Sequence, residues 1–197
     1  MLENVPQIVL LAGPNGAGKT TASRDLLGHV IAVDEFVNAD VIAQGLSGIH
    51  PEHAALEAGR IMLDRLKQLA TNRQSFAFET TLASRTFAPW IKGLLKDGYE
   101  FILIFYWLPS AETAIARVQR RVRLGGHSVP DDVIRRRYRA GLSNFFELYR
   151  PLATEWRVFD NSDFTKPRLI CLGTGGDDET VLDFTLWDRI NSEVRNG

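Results

Sequence analysis

The stretch "GPNGAGKT", Gly13 to Thr20, constrains this chain more than any other. It meets the spacing G-x-x-x-x-G-K-[ST] without a mismatch, behind the apolar run "IVLLA" and ahead of a helix-forming stretch. In that setting the loop's unpaired backbone N–H groups and the positive end of the next helix converge on one point, an anion site of phosphate size. Gly13, Gly16 and Gly18 let the backbone come close to the anion, and Pro14, Asn15, Ala17 and Thr21 complete the loop. Lys19 is expected to reach the β- and γ-phosphates of ATP, and the Thr20 hydroxyl to hold Mg²⁺. A dinucleotide fold would need G-x-G-x-x-G, a spacing these glycines lack.

The rest of the chain alternates two patterns. Apolar runs of strand length occur at Ile8 to Ala12, Ala32 to Asn38, Ser75 to Glu79, Phe101 to Leu108 and Arg157 to Asp160, with a sixth at Leu169 to Leu172. Runs without polar alternation belong to strands covered on both faces. Helical stretches separate them: Lys19 to Leu27, Pro51 to Thr71, Ser84 to Lys96, Ser110 to Leu124 and Asp131 to Tyr149. This order predicts a three-layer α/β/α fold of the P-loop NTPase and kinase kind, with a mostly parallel sheet of five or six strands. With 197 residues and no repeat or linker, one domain over 1–197 is expected. The tail after "TGG" reads as a loop and an amphipathic helix. A net charge of −1 provides no field for nucleic acid or anionic membrane. No apolar run approaches the roughly 18 residues of a membrane span. The lone Cys171 and an amino terminus without a signal-peptide pattern point to the cytoplasm.

The acids decide which kind of phosphate-loop protein this is. No Asn-Lys pair is present for a guanine motif. "GLSGIH" imitates an ABC signature but lies too near the loop and lacks the second glycine and the glutamine. A small phosphotransferase remains. Asp40, in "NADVIAQGL", follows the second expected strand, at the carboxyl edge where open α/β sheets bind ligands. There a carboxylate can take the proton of an attacking hydroxyl. The competing reading of Asp40 is a helix N-cap. Asp34 is expected to be solvated. Glu79 closes the third strand in "FAFETT", a position from which a carboxylate can support Mg²⁺ through water.

Eight arginines fall between Arg117 and Arg139. They read as solvated helix faces, as a nucleic-acid surface, or as a lid. A nucleic-acid surface would need a wider basic field than this near-neutral chain offers, so no nucleic-acid partner is expected. In the lid reading, two helices joined by "LGGHSVP" fold over ATP and lay guanidinium groups on the transferring phosphate. Arg120 and Arg121 are the expected contacts, and His127 a hydrogen-bonding or stacking residue. Four histidines and one cysteine offer no zinc site.

Taken together, "AGPNGAGKTT", "VNADVIAQGLS", "FAFETTLASRT" and "RVRLGGHSVPDDVIRRRYRAGLSNF" resemble the zeta toxin family, the kinase half of bacterial toxin–antitoxin systems, from about Ile8 to Asn161. "NADVIAQGLS" is nearest to a chromosomal subgroup, and Thr80 stands where the better-studied toxins have glycine. The resemblance implies ATP- and Mg²⁺-dependent phosphorylation of a hydroxyl on a UDP-sugar such as UDP-N-acetylglucosamine. It implies Lys19 and Thr20 at the nucleotide and metal, Asp40 as the base, and Glu79 and Thr81 against the sugar; Asn38 and Arg85 join that acceptor set. Any antitoxin is expected on a separate chain, because the phosphate loop begins too early to follow a fused one. A nucleoside, metabolite or antibiotic kinase stays open, as does a nucleotide-binding ATPase switch acting through a protein partner.

Overall fold

The computed structural model describes residues 5–22, 33–48, 51–163, 166–175 and 178–195. Its centre is β1 (Gln7–Ala12), whose residues from Ile8 to Ala12 are wholly buried. Successive side chains point to opposite faces of the strand. Ile8, Leu10 and Ala12 enter one hydrophobic core and Val9 and Leu11 another. Two cores around one strand require helices on both sides of the sheet, as the unbroken apolar runs predict.

Among the described residues the sheet has seven strands, in the order β2 (Glu35–Val37), β3 (Phe76–Thr80), β1, β4 (Glu100–Trp107), β5 (Glu155–Asp160), β6 (Arg168–Thr174) and β7 (Asp178–Val181). The first five run parallel, and β6 and β7 are antiparallel additions. β6 is the sixth run expected at Leu169 to Leu172, whereas β7 exceeds the expected five or six strands and was hidden inside a stretch that reads as loop. Its sequence "DETV" is almost wholly exposed, so it lacks the apolar run that marks a buried strand.

Four helices cover the first core: α2 (Ala55–Thr71), α3 (Phe87–Lys96), α5 (Asp131–Asn144) and α6 (Phe184–Arg195). The second core is closed by α4 (Ala111–Arg123) through Ala114, Ile115 and Val118. The short α1 (Ala39–Leu46) follows β2 and packs on α2. A helix opens at Lys19 and is described to Ala22; its expected end at Leu27 lies outside the described residues, as does the expected start of the second strand.

Three expected helices are shorter than their patterns suggest. Pro51–Ala54 forms a 3-10 turn before α2 begins. Residues 81–86 form a loop rather than the first turn of α3, and Leu82 there takes a positive φ of 56°. The helix expected to reach Tyr149 leaves α geometry at Asn144 and continues as a π turn, Phe145–Tyr149. Pro151, which has no N–H to donate, follows in a 3-10 turn. Among the described residues no helix is long and apolar enough to cross a membrane.

Candidate active site

Parallel strands bring their carboxyl ends to one edge, and the loops beyond β1, β2, β3 and β5 meet there. The loop after β1 is shaped by close packing as well as by positive φ. A Cβ at Gly13 would lie 2.3 Å from the Tyr106 carbonyl oxygen, and one at Gly18 2.7 Å from Asn161 Nδ2. Both glycines sit in the left-handed half of φ space, at 138° and 80°. Asn161, just past β5, donates from Nδ2 to the Ala17 carbonyl and so pins the loop from the far side. Arg117 of α4 donates to the Ser162 carbonyl at 2.7 Å and reaches the Gly16 carbonyl at 3.5 Å.

Lys19 is 6% exposed and donates to the carbonyls of Gly13 and Pro14, at 2.8 and 2.9 Å. Burial lowers its pKa below the ordinary lysine value; the Glu79 and Asp40 carboxylates oppose that lowering and Arg121 adds to it. An ammonium held this way is a desolvated charge facing a cavity, ready for an anion to join it.

Glu79 is the hub of the site. Thr20 Oγ1 and Asn38 Nδ2 both donate to its Oε2 at 2.8 Å, and Lys19 Nζ stands 3.6 Å from its Oε1. β3 lies directly beside β1, and the pairing places Leu11 opposite Glu79. The register therefore delivers this carboxylate to the foot of the phosphate loop.

Asn38 settles the role of the helix cap. Its Oδ1 accepts from the N–H groups of Asp40, at 2.8 Å, and Val41, at 3.4 Å, in the N-cap geometry of α1. The cap position that the competing reading gave to Asp40 is thus taken by the residue two before it. Asp40 falls in the first helical turn with its side chain exposed at the cavity.

That cavity holds about 220 Å³ and is lined by Asn15, Gly16, Gly18, Lys19, Thr20, Thr21, Asp40, Glu79, Arg117 and Arg121. Two wider surface hollows, about 570 and 640 Å³, contain no residue of the phosphate loop. Of the two lid arginines expected to reach phosphate, Arg121 lines this cavity and Arg120 does not. Arg120 is exposed and outside the lining, and Arg117 takes its place. Residues four apart share a helix face, and the Arg117/Arg121 face is the one turned to Gly16. Arg121 Nη2 donates to the His127 carbonyl at 2.8 Å, while its buried Nε has no hydrogen-bond partner among the described residues.

Thr81 and Arg85 stay outside this cavity, in the loop after β3. That loop is clamped from α5 and the π turn: Asn144 Nδ2 donates to the Leu82 carbonyl at 2.7 Å, and the Tyr149 hydroxyl to the Ser84 carbonyl at 2.6 Å. Asp34 is exposed, as its place before β2 suggested. Sequence patterns missed Asn161 and the bracing role of Arg117, because neither belongs to a short motif with a spacing of its own.

Comparison with known proteins agrees with this fold. The structure superposes on the AvrRxo1-ORF1:-ORF2 complex crystallised with ATP with a TM-score of 0.70, at 18% identity, over 97% of this chain and 65% of that one. It superposes on the PezAT chromosomal toxin–antitoxin system of Streptococcus pneumoniae with a TM-score of 0.60, at 19% identity, over 80% of this chain and 68% of that one. At these identities the likeness is one of fold, and the chain spans about two thirds of the chains it overlays. An uncharacterized protein of Haemophilus influenzae is 26% identical over 130 residues, 66% of this chain and 91% of that protein. The zeta toxin family matches residues 3–166, which is most of the sequence. The chain belongs to the zeta toxin family.

Proposed function

We propose that the protein is an ATP-dependent phosphotransferase that moves the γ-phosphate of ATP to a hydroxyl of a small molecule, a UDP-sugar such as UDP-N-acetylglucosamine. The observation that carries this reading is the placement of Asp40: a carboxylate relieved of capping duty by Asn38, lining the cavity that also holds Lys19 and Arg121. Lys19 and the loop N–H groups hold the nucleotide's phosphates. The acceptor oxygen bonds to the γ-phosphorus as the bond to the bridging oxygen of ADP breaks, and its proton passes to Asp40. Arg121 sets its guanidinium against the charge on the phosphoryl oxygens.

Thr20 and Glu79, 2.8 Å apart, are the residues that fit Mg²⁺. Bound there with the nucleotide, the ion would neutralise phosphate charge. Among the described residues no group of three or more His, Cys, Asp or Glu is arranged to hold a metal by itself. Such a site suits an ion carried largely by phosphate oxygens. Family membership and the toxin–antitoxin neighbour support an antitoxin chain as protein partner.

Mass spectrometry of the protein with ATP, Mg²⁺ and a panel of UDP-sugars tests the reading. One added phosphate on a sugar nucleotide is expected, with Asp40→Asn slower by about 10²–10⁴-fold while still binding ATP. Full turnover by that variant would remove Asp40 from the mechanism. Unmodified sugars would redirect the search to other hydroxyl acceptors.

A further inference from the structure

Asp40 lines a second, smaller cavity of about 40 Å³, bounded also by Ala39, Ala43, Gln44, Ala55 and His127. Among the described residues it is the one common to this hollow and to the phosphate cavity. The two hollows therefore share Asp40 as a wall residue. Four of the six lining residues belong to α1 and a fifth to the start of α2. His127 comes from the lid loop between α4 and α5. The loop approaches through Gly126, where a Cβ would lie 2.5 Å from Arg121 Cγ, and through Gly125 at φ 86°.

We propose that His127, with Gln44, forms the subsite that holds the reacting hydroxyl against Asp40; this rests on the kinase reading above. Size fixes the class of group. A volume of about 40 Å³ admits a hydroxyl or one water molecule and excludes a sugar ring. Chemistry agrees with size. A lone hydroxyl between a carboxylate, an imidazole and a carboxamide finds an acceptor for its proton on Asp40 and polar partners for its lone pairs. Oriented so, it meets the γ-phosphate from the Asp40 side of the larger cavity.

His127 is carried by the same segment that carries Arg121, and the Arg121 guanidinium holds the His127 carbonyl at 2.8 Å. A phosphate that draws Arg121 into place therefore also fixes the lid residue on the acceptor side. His127 contacts the substrate, and Arg121 positions it. The subsite is assembled from α1 and the lid together, so an open lid leaves Asp40 without this partner and without an oriented nucleophile.

The test is steady-state kinetics of His127→Ala, His127→Gln and Gln44→Ala with ATP and UDP-N-acetylglucosamine, with melting temperatures as a check on folding. His127→Ala is expected to raise the sugar KM about tenfold, or lower turnover by that factor, with the ATP KM within twofold of the wild type. His127→Gln, which keeps a hydrogen-bonding side chain, should recover part of the loss. Unchanged sugar parameters in His127→Ala, or equal losses toward ATP and sugar, would overturn the subsite. If the wild-type protein leaves this sugar untouched, the acceptor identity proposed above fails separately. Release of ADP with water as acceptor then decides: about tenfold slower hydrolysis in His127→Ala with ATP affinity retained supports the subsite, and an unchanged rate sinks it.

Discussion

Alanine substitution at three helical glycines gives different outcomes from one chemical change. Gly59, Gly93 and Gly141 lie inside α2, α3 and α5. Replacing a helix-interior glycine by alanine relieves about 0.8–1 kcal/mol of conformational cost. At Gly59 and Gly93 the new Cβ meets nothing within 4 Å among the described residues, so both variants should gain that amount. At Gly141 the Cβ would lie 2.2 Å from the Thr81 carbonyl oxygen. Such contacts essentially never fall below 3.0 Å, so helix and loop must part by at least 3.0 − 2.2 = 0.8 Å.

Neither partner yields easily. Leu82 already sits at φ 56°, and Asn144 and Tyr149 hold the carbonyls of Leu82 and Ser84. Overpacking of this kind costs about 1–3 kcal/mol, which cancels or exceeds the helix gain. Urea denaturation should therefore separate Gly141→Ala from the other two variants by about 1–3 kcal/mol. Because Thr81 belongs to the candidate acceptor loop, phosphoryl transfer should also fall, by up to about 10²-fold for a displacement near 1 Å. If Gly141→Ala is stabilised as much as Gly59→Ala, the close seat of α5 on Thr81 is wrong, and the coupling of that helix to the acceptor loop goes with it.

Two further outcomes follow from the site and the core. Arg121→Ala should cost about 10³-fold or more in phosphoryl transfer, whereas Arg120→Ala should change it little; equal losses in steady-state assays would return the lid arginines to an undivided cluster. Cys171 is fully buried, and burial, reinforced by Glu179, pushes its thiol up to about 12. A raised folded-state value contributes stability that is complete below the unfolded thiol value near 8.5 and is lost as pH climbs from there toward the folded one. At pH 8 the native thiol should resist a thiolate-specific disulfide reagent and react on unfolding; rapid labelling of the folded protein would contradict its packing.

Much of the architecture was legible because it rests on local chemistry. Unbroken apolar runs such as "FILIFYWL" can be satisfied only by burial on both faces, which dictates a parallel sheet between helices. "GPNGAGKT" carries its own backbone geometry, so the phosphate site could be placed before any tertiary contact was known. β7 escaped notice for the converse reason. An exposed edge strand of polar residues is held by its neighbour's hydrogen bonds rather than by a pattern of its own.

The sequence by itself determined the two-sided sheet, the phosphate loop and the pool of acids and arginines from which a site can be drawn. Which members of that pool meet was decided by tertiary structure. β3 beside β1 brings Glu79 to Thr20 across 59 positions of chain, and Asn38 takes the helix cap and leaves Asp40 to the cavity. The seating of α4 against Gly16 turns Arg117 and Arg121 inward and leaves Arg120 in solvent. A helical repeat specifies which residues share a face. Only the packing of that face against the rest of the molecule says where it looks.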